Sequence, residues 1–87
     1  MPRKPQQERS RATVDAIIEA AFICVAERGI QATTTRHVAE IAGISVGSLY
    51  EYFSNKEAIF DAMNQRFVSD VVAMLQPLIP SLVRLPI

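Results

Sequence analysis

Between Thr33 and Phe53 two short apolar-periodic stretches are separated by a single glycine, Gly43, and this spacing leaves the chain few ways to fold. Val38, Ala39, Ile41 and Ala42 recur with a helical period. Thr34, just ahead of them, is a good N-cap residue, able to accept a hydrogen bond from an otherwise unpaired backbone N–H. Gly43 then ends the stretch. A residue just past a helix end often needs positive φ, which glycine adopts without a Cβ clash, so the chain can turn within three residues. Ile44 fills the corner, and Ser45 stands as the N-cap of a second helix whose interior runs from about Val46 to Tyr52. Two short helices joined by a glycine turn make a helix-turn-helix.

At about 100° per residue, Val46, Leu49 and Phe53 fall on one side of the second helix, Gly47 and Glu51 lie nearly opposite, and Ser48 and Tyr50 flank them. The outward face is therefore small and polar. Gly47 and Ser48 in the first turn would let the backbone approach base edges or phosphates, and the helix dipole there favours anions. The same corner also occurs in ordinary helical hairpins, so spacing alone leaves two readings open, a groove-entering helix and a plain hairpin. Ser54-Asn55-Lys56-Glu57 reads as a capping box: Ser54 accepts from the N–H of Glu57, and the Glu57 carboxylate reaches back to Ser54. Lys56 in the first turn of the helix that follows opposes the dipole. That placement is most easily understood with a phosphate beside it, the alternative being a solvated lysine.

With Ile17, Ala20, Ala21, Phe22, Glu27, Arg28 and Gly29, then Ala32-Thr33-Thr34, Val38-Ala39, Ala42-Gly43-Ile44-Ser45, Gly47, Leu49-Tyr50, Tyr52-Phe53, Asn55-Lys56 and Ile59 in this order, the chain resembles the N-terminal DNA-binding domain of the tetracycline-repressor-like (TetR) family of bacterial transcriptional regulators. The resemblance runs from Arg11 to about Phe60, over half the chain. It implies an all-α fold: a three-helix, homeodomain-like helix-turn-helix domain followed by a fourth connecting helix. It also implies roles. Thr35 and Arg36 would contact the DNA backbone and a base, Val46, Gly47 and Ser48 would face the DNA bases, Tyr50, Tyr52 and Lys56 would hold phosphates, and Ser45 would be a further DNA-binding residue. The chain departs from the family pattern at two of these places. The position of Tyr52 is often His, and His37 stands where an acidic residue is common. With Thr34 as N-cap, His37 occupies N3 and cannot supply the capping-box carboxylate, so the start of that helix is expected to be less firmly fixed. His37 has no His or Cys partner at a metal-ligand spacing.

The remaining sequence fits a small helical domain. Eighty-seven residues make one domain with a modest core, and 49% hydrophobic content is ample for three or four helices. The first helix is expected from about Ser10 to Arg28, stopping at Gly29. Val14, Ile17, Ile18, Ala21, Phe22 and Val25 form its apolar stripe, with Phe22 and Val25 packing against Val38, Leu49 and Phe53. A fourth helix follows the capping box to about Leu75, with Ile59, Phe60, Met63, Phe67, Val71 and Leu75 apolar, and Pro77 opposes its continuation. The single cysteine, Cys24, excludes an internal disulfide and points to a reducing cytoplasm. No apolar run approaches the roughly 20 residues that cross a bilayer.

Nine basic and nine acidic side chains cancel, so any nucleic-acid binding must come from the distribution of charge. Arg3, Lys4, Arg9 and Arg11 are opposed only by Glu8 within the first eleven residues. Residues 1–10 thus read as a flexible basic arm that either follows a minor groove or is a solvated tail. Residues 11–60 read as the helix-turn-helix domain. Residues 61–87 read as the continuation of the fourth helix and an apolar tail, the remnant of or lead into a ligand-binding and dimerisation domain.

These observations together favour a sequence-specific regulator, a repressor binding double-stranded DNA at a palindromic operator as a homodimer. The alternative is a helical protein-interaction module that has lost DNA binding. No membrane partner and no cofactor is expected, and a small-molecule effector only if a further C-terminal domain exists. With one His, one Cys, no Gly-rich phosphate loop and no convergent acid/base set, the chain is not expected to be an enzyme.

Overall fold

A computed structural model of the chain describes residues 5–78. They form four helices, α1 (Pro5–Arg28), α2 (Thr35–Ala42), α3 (Val46–Tyr52) and α4 (Lys56–Leu75), with no strand among the described residues.

Each junction is made by a short-range hydrogen bond that the local sequence supplies. α1 ends where Gly29 takes φ 85 and donates its N–H to the Val25 carbonyl at 2.8 Å. Thr33, fully buried in the link that follows, donates its hydroxyl to the Gly29 carbonyl at 2.8 Å. Such a buried hydroxyl is tolerated because it is paired. Thr34, extended at φ −124 and ψ 156, caps α2 by accepting the His37 N–H at 3.1 Å. At the far end of α2, Gly43 has φ 78, its N–H reaches the Glu40 carbonyl at 3.2 Å, and the Ile44 N–H reaches the Ala39 carbonyl at 3.0 Å. This pair of bonds is the Schellman motif, in which the residue after the glycine packs back on the helix, and Ile44 does so against the core. Ser45 then caps α3 by accepting the Ser48 N–H at 3.0 Å.

The cap of α4 corrects the expected capping box. Asn55, not Ser54, is the N-cap: its backbone is extended and its Oδ1 accepts the Ala58 N–H at 2.8 Å. Asn caps helices as well as Ser does, and shifting the start by one residue leaves Glu57 at N2, where it cannot complete the box. The beginning of α1 also differs. The helix starts at Pro5 instead of near Ser10, so the second half of the basic arm is helical, while Arg3 and Lys4 lie outside the described residues. Proline is well suited to the first helical position, since its missing N–H has no intrahelical partner there and its φ is already set.

The core is Ile17, Ile18, Ala20, Ala21 and Cys24 from α1, Val38 and Ala39 from α2, Leu49 from α3, and Ile59 and Met63 from α4. Val14, Val25, Phe53 and Phe60 close its edges. Phe22, expected among the packing residues, is instead exposed. It lies about 140° round the helix from Ile17, at the limit of the buried stripe, whereas Ala21 and Cys24 sit nearer its centre. Small side chains there let α2 come close. An ion pair from Arg66 Nη2 to Asp15 Oδ1 at 2.7 Å fastens α4 to α1. Past this pair α4 leaves the core: Phe67, Val68, Val72, Met74 and Leu75 are all exposed.

Candidate nucleic-acid interface

The orientation of α3 follows from one side chain. Leu49 is 0% exposed and seated in the core, while Gly47, two residues earlier on the opposite side, and Tyr50, 47% exposed, face out. A Cβ built on Gly47 would meet nothing closer than Ser45 Oγ at 3.9 Å, so no contact within the chain requires glycine there. Its missing side chain leaves open backbone on the outer face.

Around this patch the expected contact residues are distributed unevenly. Ser45, Val46, Gly47, Tyr50 and Tyr52 of the α3 segment are exposed, and so is Arg36 on α2, whereas Thr35, Ser48 and Lys56 are half-buried. Six are engaged with neighbours. Ser48 accepts from the Ser45 hydroxyl at 3.0 Å, so the two serines form a compact polar cap. Arg36 Nε lies 3.8 Å from Glu40 Oε2 along the exposed face of α2. Such an exposed i,i+4 pair is worth only a few tenths of a kcal/mol, roughly, and leaves the guanidinium free to exchange partners. Lys56 Nζ sits 5.7 Å from the centre of the Phe60 ring, which holds the ammonium over the first turn of α4. The α2 and α3 portions are joined by a bond between hydroxyls, Thr35 Oγ1 to Tyr50 OH at 2.9 Å.

His37 contradicts the expectation of a loosely fixed α2. Its ring Nδ1 lies 2.9 Å from Thr34 Oγ1, which also accepts the His37 N–H. An imidazole nitrogen thus takes up the N-cap side chain from the N3 position, where a carboxylate would otherwise reach back. The absence of an acid at N3 was visible in the sequence; that histidine can reach the cap from there was not. Thr33 was missed altogether as a structural residue, because a lone threonine in a Thr-rich run carries no signal of burial.

Among the described residues no three His, Cys, Asp or Glu side chains converge to hold a metal ion, and no helix is long and apolar enough to cross a membrane. What remains is an exposed face with open backbone at Gly47, beside hydroxyls and two cations. Such a surface can donate hydrogen bonds to a polyanion.

Comparison with known proteins points the same way. Residues 17–63 match the model of the bacterial regulatory proteins, tetR family. Over 65 residues the chain is 37% identical to the HTH-type transcriptional repressor KstR2 of Rhodococcus jostii, an alignment that covers 75% of this chain and 32% of that protein. It is 35% identical over 66 residues to the nucleoid occlusion factor SlmA of Haemophilus ducreyi, covering 76% of this chain and 31% of that one. The fold is similar to that of the fatty acid degradation regulator FadR from Bacillus halodurans, with a TM-score of 0.70 and 27% identity over 88% of this chain and 37% of the other. The chain spans about a third of the length of the curated relatives it matches.

Proposed function

Since the chain belongs to the tetR family of bacterial regulatory proteins, we propose that it is a sequence-specific DNA-binding transcriptional repressor whose homodimer sets two copies of α3 into successive major grooves of a palindromic operator. The observation that carries this reading is the inward seat of Leu49, which turns Gly47 and Tyr50 to solvent on a helix short enough to lie in a groove. The nine contact residues divide by chemistry. Val46, Gly47 and Ser48 meet base edges, with Arg36 at the border. Ser45, Tyr50, Tyr52 and Lys56 hold the sugar-phosphate backbone, with Thr35 joined to Tyr50 at that backbone. Residues 11–60 act as the DNA-binding unit, and residues 61–87 lead toward a dimerisation and effector-binding domain of the kind its relatives have room for. The protein works in the cytoplasm and is not an enzyme.

Two further facts support the reading. The relatives most similar in sequence include proteins named as transcriptional repressors. The exposed Phe67, Val68, Val72 and Leu75 offer apolar surface to a second subunit. Fluorescence anisotropy with duplex DNA tests the proposal: affinity should fall steeply with salt. Lys56→Ala should weaken binding to every sequence and reduce the log–log salt slope by about 1, whereas Arg36→Ala should change preference among sequences. A chain with no salt-dependent duplex binding would be the interaction module instead. Sedimentation at high micromolar concentration tests the dimer, and a monomer there would remove it.

A further inference from the structure

We propose that Thr35 and Tyr50 bind DNA as one unit, the Thr35 hydroxyl positioning the Tyr50 hydroxyl on a single phosphate; this rests on the DNA-binding reading above. The two oxygens are 2.9 Å apart although the residues stand 15 positions apart on different helices. Tyr50 projects from α3 and is 47% exposed, and Thr35 is half-buried at the first position of α2, next to the Thr34 cap. A fixed hydroxyl on one helix therefore restrains a mobile phenol on the other.

The chemistry of the pair determines how it would act. Two hydroxyls carry two hydrogens, and their mutual bond consumes one. The phenol is the more acidic O–H and so the better donor to a phosphate oxygen. When it turns its hydrogen outward, its own oxygen accepts the hydrogen of Thr35. A donor that is itself accepting a hydrogen bond is polarised and strengthened, and a bond to an anion is stronger than one between neutral groups. Restraint adds a second gain, because a ring already held at the surface loses less rotamer freedom on binding. The neighbouring cations do not substitute for the pair: Arg36 is matched with Glu40, and Lys56 lies over Phe60 on another helix. Thr35 is thus a positioning residue for Tyr50, with no phosphate of its own.

A double-mutant cycle on the 87-residue chain tests this, read by anisotropy against a mixed-sequence duplex of roughly two helical turns. Tyr50→Phe should raise Kd about 10-fold and Thr35→Val about 3-fold. The double variant should bind no more weakly than Tyr50→Phe alone, and Thr35→Ser should return Kd to the wild-type value. The salt slope should stay constant throughout, since none of these changes alters charge. Thermal unfolding by circular dichroism accompanies each variant, and if Thr35→Val does not fold, Thr35→Ala takes its place in the cycle. Losses that multiply in the double variant overturn the unit and give Thr35 a separate contact, as does Thr35→Val binding at full strength. A wild-type chain that ignores duplex DNA overturns the DNA reading and the pair with it, so the two failures are told apart by the wild type alone.

Discussion

The two halves of α4 treat similar side chains in opposite ways. Ile59 and Met63 in the first half are buried against α1, while Phe67, Val72 and Leu75 in the second half, just as apolar, stand exposed. The boundary is Arg66, whose ion pair with Asp15 is the last tie to the three-helix core. Apolar periodicity identifies a face that seeks a partner, and only the geometry of the neighbouring helices decides whether this chain provides one. The last core residue from α4 is Met63, so α4 runs on past the core. The first half is thus part of the core, and the second leaves Phe67, Val68, Val72, Met74 and Leu75 exposed.

Leu49→Ala and Phe67→Ala would sharpen this contrast most. The first should lower unfolding free energy by about 2 to 5 kcal/mol through a cavity at the centre of the core, and the second by less than about 0.5 kcal/mol in the monomer. Equal losses in urea unfolding would break the distinction between the regions. Next in size is the start of α4, since Asn55→Ala should cost about 1 kcal/mol whereas Ser54→Ala should cost little, as Asn55 alone holds the cap. Reversed costs would restore the capping box. The smallest stability effect is expected on the outer face of α3. Gly47→Ala should leave the fold intact or stabilise it by up to about 1 kcal/mol, because a methyl there would meet nothing closer than Ser45 Oγ at 3.9 Å, an ordinary contact. It should nevertheless weaken duplex binding several-fold by blocking backbone approach, and unchanged anisotropy would show that Gly47 does not face the groove.

The sequence was most legible where one residue type has one mechanical use. Thr34, Gly43 and Ser45 could be assigned because caps and positive φ have few alternatives, and α2, the turn and α3 follow from them. It was less legible where two residues could do the same job. Ser54 and Asn55 are both good caps, and only the backbone of the turn from α3 decides between them. Phe22 is apolar and sits one helical turn after Ile18, yet the stripe is narrower than the set of apolar residues, and large size does not guarantee burial. At the candidate interface Gly47, Tyr50 and Glu51 were readable as outward from angle alone, whereas Val46, placed by angle on the side of Leu49, is exposed at the first turn and Ser48 is half-buried. The Thr35–Tyr50 bond was not, because it depends on how far apart two helix axes pack, a quantity no local pattern encodes.

The histidine at the start of α2 has a consequence for charge as well as for order. By anchoring Thr34 with a ring nitrogen, the chain secures this helix without adding a second carboxylate, besides that of Glu40, next to Thr35 and Arg36. A glutamate in that place would steady the turn equally well but would repel any incoming phosphodiester from the very residues meant to greet it. Here rigidity and hospitality to an anion are obtained from one side chain.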